Sequence, residues 1–483
     1  MKIVCARNRR TILNNNETYM KKITSILTCL LSALLVSLSL SSCFEDKEEA
    51  VPTERCYIYE FTLGSVKRTL HTTSSTGADS VYTVTVAGNS CPMSIDQQRH
   101  IIENKDSLPY GSQVNAVLTT VGFSSILMYK QADDEEWHNY STSDSIDFTK
   151  PVVFKVLSSS AKSERDYTVK VNVHQQDGDK FCWERFDDPS AEKELAGLKE
   201  RRMTVVGNYL YLLGRTSSGD VKCGVLVRSL PINWGIVESK SNLDGADLST
   251  LCTYGDHMLM SNAKGEILQS RNGMDWSVLS EAVPGRRLLG TSERTIYACR
   301  NGIVECTHDG GLTWTENALD DEASYLPDSD ITLLQLQQES GYNRLVMMGN
   351  RAGQGDLRAE VWSKAWREGA PEMLASWMYY PHTADNRVMC PQLDPLFVLP
   401  YDGNMIALGG KSLNGQYAAL DKILVSPDYG LTWRASTELT TPEELRGTKD
   451  AVTIASDADN FIWILAGEQL WRGRLTRLGF EKK

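Results

Sequence analysis

Residues 181–480 alternate short apolar runs with polar turns, and the plan recurs along the whole segment. Each unit opens with an apolar strand, turns at polar residues, runs a second apolar strand and makes a short hairpin into a third. Residues 258–270, 296–307 and 461–471 are three copies. Alternation at period two predicts strands, and a repeat of this length predicts a propeller or a solenoid. Six units can be counted, or seven if residues 366–400 hide another. The sixth is one strand short. Residues 181–186 can supply that strand, which joins the first unit to the last and removes exposed sheet edges. Ahead of the repeats, residues 54–175 hold shorter alternating runs at 56–63, 81–86, 116–118, 125–129, 152–157 and 167–173. Polar turns separate them, as in a β-sandwich of Ig-like size. A polar linker at 176–180 follows. The expected fold is all-β: a small Ig-like β-sandwich, then a β-propeller over 181–480 with six blades, or seven.

The turns carry the most specific signal. Thr307, Asp309, Gly311 and Trp314 recur at the same spacing as Ser426, Asp428, Gly430 and Trp433. A hydroxyl and a carboxylate placed so can accept hydrogen bonds from the turn's own N–H groups, while Gly supplies the left-handed backbone and Trp packs. Residues 270–276 hold a copy one residue shorter, and 229–234 a degenerate one. The fourth unit has lost the signature and keeps Trp362 and Trp366. These turns resemble the Asp-box (BNR) repeats of sialidases, sortilin-type receptors and assorted secreted propellers. The resemblance implies a β-propeller, with the motif on outer turns away from the central ligand face, so Asp309 and Asp428 are expected to be structural.

The N-terminal segment adds an address. Met20, Lys21 and Lys22 precede an apolar run over 23–40 that ends in Leu40, Ser41, Ser42 and Cys43, the layout of a secretory signal at 20–42. Residues 1–19 read as a start-site artefact. The ending is similar to the lipobox of bacterial lipoproteins, which implies that Cys43 is lipidated. Residues 43–53 form an acidic tether, and in lipoproteins resembling those of the Bacteroidetes such residues direct surface export. Taken together, the chain resembles an uncharacterised family of Bacteroidetes surface lipoproteins, a family with no known activity. The expected location is the outer membrane, surface-exposed or facing the periplasm, with the lipid as the membrane contact.

Charge narrows the partners. The chain has 50 Lys and Arg against 62 Asp and Glu. Residues 1–42 hold six of the basic and one of the acidic residues, so the remainder carries −17. With no basic cluster, nucleic acid is not an expected partner. Eight cysteines follow Cys43 without a Cys-x-x-Cys, and most sit in apolar runs as expected of buried thiols. Cys299 and Cys306 can face each other across a turn.

Catalytic patterns are missing. The histidines are scattered, no phosphate-cradling loop or nucleophile elbow exists, and neither metal nor cofactor is expected. No Arg-Ile-Pro is present, and the adjacent pairs Arg201/Arg202 and Arg286/Arg287 should point to opposite faces of their strands. Asp256, Glu293 and Asp457 lie in equivalent turns and read as solvated. Trp377, Tyr379 and Tyr380 sit in an irregular region and can stack on a sugar if exposed. The expected function is a lipid-anchored, non-catalytic binding protein for a glycan or an envelope protein. A glycoside hydrolase with unseen carboxylates, or an assembly factor for an envelope complex, is the alternative.

Overall fold

A computed structural model of the chain describes residues 53–480 apart from 74–78, 230, 242, 338–340 and 354. The signal segment, Cys43 and nearly all of the tether lie outside the described residues. An N-terminal unit ends at Asn172 and a C-terminal unit begins at Val173.

The N-terminal unit is built from strands. A six-stranded sheet runs in the order Met93–Asp96, Ile101–Asn104, Glu164–Lys170, Val152–Leu157, Ile126–Lys130 and His138–Asn139. A three-stranded sheet and the pair Ile58–Leu63 with Thr119–Phe123 complete it. Alternation does here what the pattern predicts. Val152, Phe154 and Val156 point inward on one strand, Tyr167 and Val169 on its neighbour, and Phe61 meets Phe154 edge to face at 5.4 Å. The run at 116–118 is a correction. Val117 makes only an isolated bridge to Ile146, and the strand begins at Thr119.

The C-terminal unit holds six four-stranded antiparallel sheets among the described residues. Their first strands are Leu198–Val206, Ala246–Tyr254, Arg286–Thr291, Ser329–Gln337, Leu393–Tyr401 and Val452–Ser456. Each first strand lies beside the next, and Val452–Ser456 returns to Leu198–Val206, so the ring closes. Phe181–Phe186 is the outer strand of the sixth sheet, paired antiparallel with Gln469–Leu475 from Phe181↔Leu475 to Phe186↔Leu470. Residues 366–400 add no further sheet. They hold the end of Glu360–Arg367, a turn at Glu372–Leu374, the short strand Met378–Tyr379 and the start of Leu393–Tyr401.

An apolar layer fills every seam of the ring. Trp463 and Leu465 of the sixth sheet pack on Leu210 and Leu212 of the first, and corresponding clusters occupy the other seams. One tryptophan stands directly before the outermost strand in five sheets: Trp234, Trp276, Trp314, Trp377 and Trp433. Each packs into the seam with the preceding sheet. Trp377 is therefore the fourth sheet's counterpart of the motif tryptophan, set back by an insertion at 368–376. Trp362 and Trp366, read from the sequence as that sheet's remnant, belong to its third strand.

All eight described cysteines are free, and five are buried. Cys299 and Cys306 do not face each other, because the register sets Cys299 against Val304 and Cys306 against Tyr297.

Candidate functional site

The two complete turn motifs are closed hydrogen-bond systems. Thr307 Oγ1 donates to Asp309 Oδ1 at 2.7 Å and accepts from Gly311 N at 3.1 Å; Asp309 accepts Thr313 N at 2.9 Å and Thr313 Oγ1 at 2.5 Å. In the other copy Ser426 Oγ donates to Asp428 Oδ1 at 2.9 Å and accepts from Gly430 N at 2.8 Å, and Asp428 accepts Thr432 N at 2.8 Å. Trp314 and Trp433 each donate an indole N–H to the carbonyl of their motif glycine. The Thr313 hydroxyl and amide hold the exposed Asp309 carboxyl well below its usual range. Burial would raise Asp428, but the bonds from Thr432 and Ser426 outweigh it. Both carboxylates thus accept from their own turn's donors and hold its shape. The short copy repeats the plan with Asn272 in the aspartate's place, accepting Met274 N at 3.0 Å and Asp275 N at 2.9 Å.

The first strands of the six sheets line a central channel of about 320 Å³. Its wall is aliphatic side chains and hydroxyls such as Ser249, Thr253, Thr291 and Ser456, with Arg202 the single charged residue and no Asp, Glu or His. The channel arginine is occupied. Arg202 pairs with Asp330 at 2.7 Å and lies 4.8 Å over the Phe397 ring, and that phenylalanine is itself buried. Nearby, Arg287 binds Asp247 at 2.9 Å and Ser249 Oγ at 2.9 Å. Burial would raise Asp247, but Ser249 and Arg287 pull it below the ordinary range. The adjacent arginines do diverge along their strands. Arg201 is buried and donates to the carbonyls of Leu195, Leu198 and Gly467, while Arg286 forms a buried pair with Glu305 at 2.6 Å.

The expected sugar platform is absent for a packing reason. Trp377 has no exposed surface, and Tyr379 is buried with its hydroxyl donating to the fully buried Glu360 at 2.7 Å. Tyr380 is half-buried and accepts from Arg344 at 3.2 Å. The irregular sequence around these residues reflects the inserted connection, not an exposed surface. Of the three turn acids, Asp256 is exposed beside His257 and Arg271, whereas Asp457 is a buried partner of Arg228 at 2.6 Å and of the Trp463 indole at 2.8 Å. They belong to separate sheets and do not converge.

Glu293, the third, borders a cavity of about 500 Å³ at the seam of the third and fourth sheets. The insertion 368–376 forms one wall and is tied to the third sheet through Glu372. Its carboxylate accepts from Tyr297 at 2.6 Å, Ser292 at 2.9 Å and Thr295 at 3.1 Å. Behind Tyr297 lies Lys364, 2 % exposed, with its Nζ 2.8 Å from Asn317 Oδ1 and 3.2 Å from the Tyr297 hydroxyl. Lys364 does not line the cavity. Sequence reading missed this cluster because a lone Lys between tryptophans in a strand gives no sign that both faces are covered.

Lys364 makes a measurable prediction. Burial pushes its ammonium down to about 8, whereas an unfolded lysine titrates at about 10.4. Between those values the unfolded chain binds more protons than the folded one, so stability rises with pH through that window. Lys364→Met removes the group and its slope. From pH 8 to 10 the wild type should gain on the variant by about 2 kcal/mol in denaturant unfolding. Parallel curves would sink this account.

Fold and turn chemistry together define a β-propeller protein with an N-terminal unit built from strands. The chain belongs to the DUF6242 family: residues 61–171 match the N-terminal domain of that family of unknown function, and residues 177–483 match the DUF6242 beta propeller domain. No curated protein matches the chain. Among solved structures, it is similar to YCF48 bound to a D1 peptide, at 13% identity and a TM-score of 0.35 over 60% of this chain and 94% of that one. A DUF4623 family protein from Bacteroides eggerthii matches at 12% identity and 0.33, covering 86% and 98%. The Trypanosoma rangeli sialidase matches at 10% identity and 0.35, covering 58% and 55%.

Proposed function

We propose that the chain is a non-catalytic binding protein, held in the cell envelope by a lipid on Cys43, whose propeller takes a protein partner in preference to a glycan. The observation that supports this reading is the make-up of the channel: hydroxyls, aliphatic groups and one paired arginine, with no carboxylate and no exposed aromatic. Glycoside hydrolysis needs two carboxyl groups flanking the scissile bond. Sugar capture draws on an aromatic face, and Trp377 and Tyr379 are spent in the core.

The test is a binding and turnover screen of the intact protein against a glycan panel, run beside affinity capture from envelope extracts. The expected result is no released sugar, no saturable glycan binding, and a specific captured envelope protein. Released sugar would replace this reading with a hydrolase, and saturable glycan binding would replace it with capture of sugars. For the anchor, Cys43→Ser should abolish metabolic incorporation of a labelled fatty acid and release the protein from membranes. Retention of label by that variant overturns the lipid assignment.

A further inference from the structure

Arg202 stands on the first strand of the first sheet, and Asp330 on the first strand of the fourth. In a closed ring of six sheets these strands face each other, so the 2.7 Å contact from Arg202 Nη2 to Asp330 Oδ1 spans the channel. The side chains are 13 % and 15 % exposed. This bar lies toward the beginning of the first strands. The cavity extends from it toward the strand ends, past Val205, Thr253, Pro400 and Ser456, and Asp330 is not part of its wall. The channel is therefore a cup with a guanidinium at its closed end. Asp330 is held from behind by three donors: Arg202, Asn350 Nδ2 at 3.1 Å and the Leu396 amide at 3.2 Å. Arg202 is less fully used. Asp330 takes one N–H of its Nη2, and Phe397 lies under the plane of the group. Its Nε and Nη1 donors make no hydrogen bond among the described residues, and the cavity wall supplies no Asp, Glu or His.

We propose that this cup binds the C-terminal carboxylate of a partner polypeptide. Arg202 holds the carboxylate, and the aliphatic and hydroxyl walls receive the last side chain. A closed end admits the terminus of a chain and stops a loop from passing through. The lone guanidinium selects the carboxyl terminus, since an ammonium there would meet a like charge. Guanidinium and carboxylate form charge-assisted, often bidentate pairs, so one arginine can serve Asp330 and a ligand together. A cavity of about 320 Å³ is at the low end of small-ligand pockets, which suits a chain end rather than a folded element. The proposal rests on the protein-partner reading and names what that partner presents, and the broader reading survives if this site fails.

The test is equilibrium dialysis of the intact protein against Nα-acetylated tripeptides whose last residue is varied over every amino acid. Each is made as the free acid and as the C-terminal amide, and retained peptides are read by mass spectrometry. The expected result is saturable retention of free acids ending in uncharged residues, without retention of the matching amides. Arg202→Met should weaken binding roughly tenfold to a hundredfold, the scale of hydrogen bonds to a charged group. Asp330→Asn should strengthen it, because the guanidinium then faces no competing charge, and general destabilisation cannot produce that sign. Arg202→Met leaves Asp330 without its cation, so Ser456→Phe supplies a second route. It narrows the cup at the strand ends with the bar intact, and it should also abolish retention. No retained free acid, equal retention of the amides, or binding unchanged in both Arg202→Met and Ser456→Phe overturns the site. Tighter binding of isovalerate than of any tripeptide overturns the polypeptide source in favour of a small carboxylate. An envelope protein captured equally by the wild type and Ser456→Phe would leave the protein-partner reading standing and this site overturned.

Discussion

Removing Phe181–Phe186 should abolish the cooperative unfolding transition of the C-terminal unit. That strand comes from the N-terminal end of the ring, yet it pairs along its whole length with Gln469–Leu475 at the other end. Phe181 joins the core cluster of the fifth and sixth sheets, Trp183 packs against it, and Phe186 packs on the seam of the sixth with the first. Each such side chain contributes roughly 1.5–3 kcal/mol on full burial. Their joint loss is comparable with the whole stability of an ordinary domain. The deletion also bares a strand edge along Gln469–Leu475, a template for association. The measurement is calorimetry of the intact chain and of the chain lacking 181–186. A sharp transition at an unchanged temperature would refute the closure account. A synthetic peptide of the same sequence, added in trans, should restore part of the transition, because the lost element is one strand with its register intact.

Much of this architecture was legible in the sequence because propeller sheets are local. Each is a run of neighbouring strands, so period two and turn chemistry suffice to find it. The closing strand was legible by arithmetic: the last unit was one strand short, and Phe181–Phe186 stood unassigned. What escaped is what depends on contact between sheets. Trp377 looked like a surface aromatic because the insertion 368–376 separates it from the strand it follows, and only the alignment of five tryptophans across the ring shows its role. Glu372, Lys364 and the cavity that Glu372 borders are invisible for the same reason. A glutamate seventy-five residues from Tyr297 becomes its hydrogen-bond partner only when the fourth sheet docks on the third. The turn acids show the limit most clearly. Asp256, Glu293 and Asp457 occupy equivalent positions in the repeat, yet one is solvated, one borders a cavity and one is buried against Arg228.

The second large effect lies at the Arg286–Glu305 pair. Both side chains are nearly buried, 6 % and 4 % exposed, and Arg286 Nε lies 2.6 Å from Glu305 Oε1. The guanidinium also stacks 4.4 Å over Trp314, the motif tryptophan of the same sheet, and reaches Ser280 Oγ at 3.2 Å on the sheet before. Burying two charges is expensive, so the pair need not stabilise the fold relative to an apolar substitute. Removing one partner is another matter, because the remaining charge stays buried without compensation. Glu305→Ala should therefore cost about 3–5 kcal/mol, with Arg300, 3.6 Å from Glu305 on the wild-type hairpin, adding to the stranded positive charge. Arg286→Leu alone should cost less than Glu305→Ala, since Arg300 remains to hold the glutamate. The double variant Arg286→Leu, Glu305→Leu should recover most of the loss, giving a coupling energy of several kcal/mol in a double-mutant cycle. Additive single effects would show that packing of the two side chains, not their charge, is what the sheet requires. Recovery in the double variant would mean that the pair specifies how Trp314 and the first strand dock, while contributing little net stability of its own.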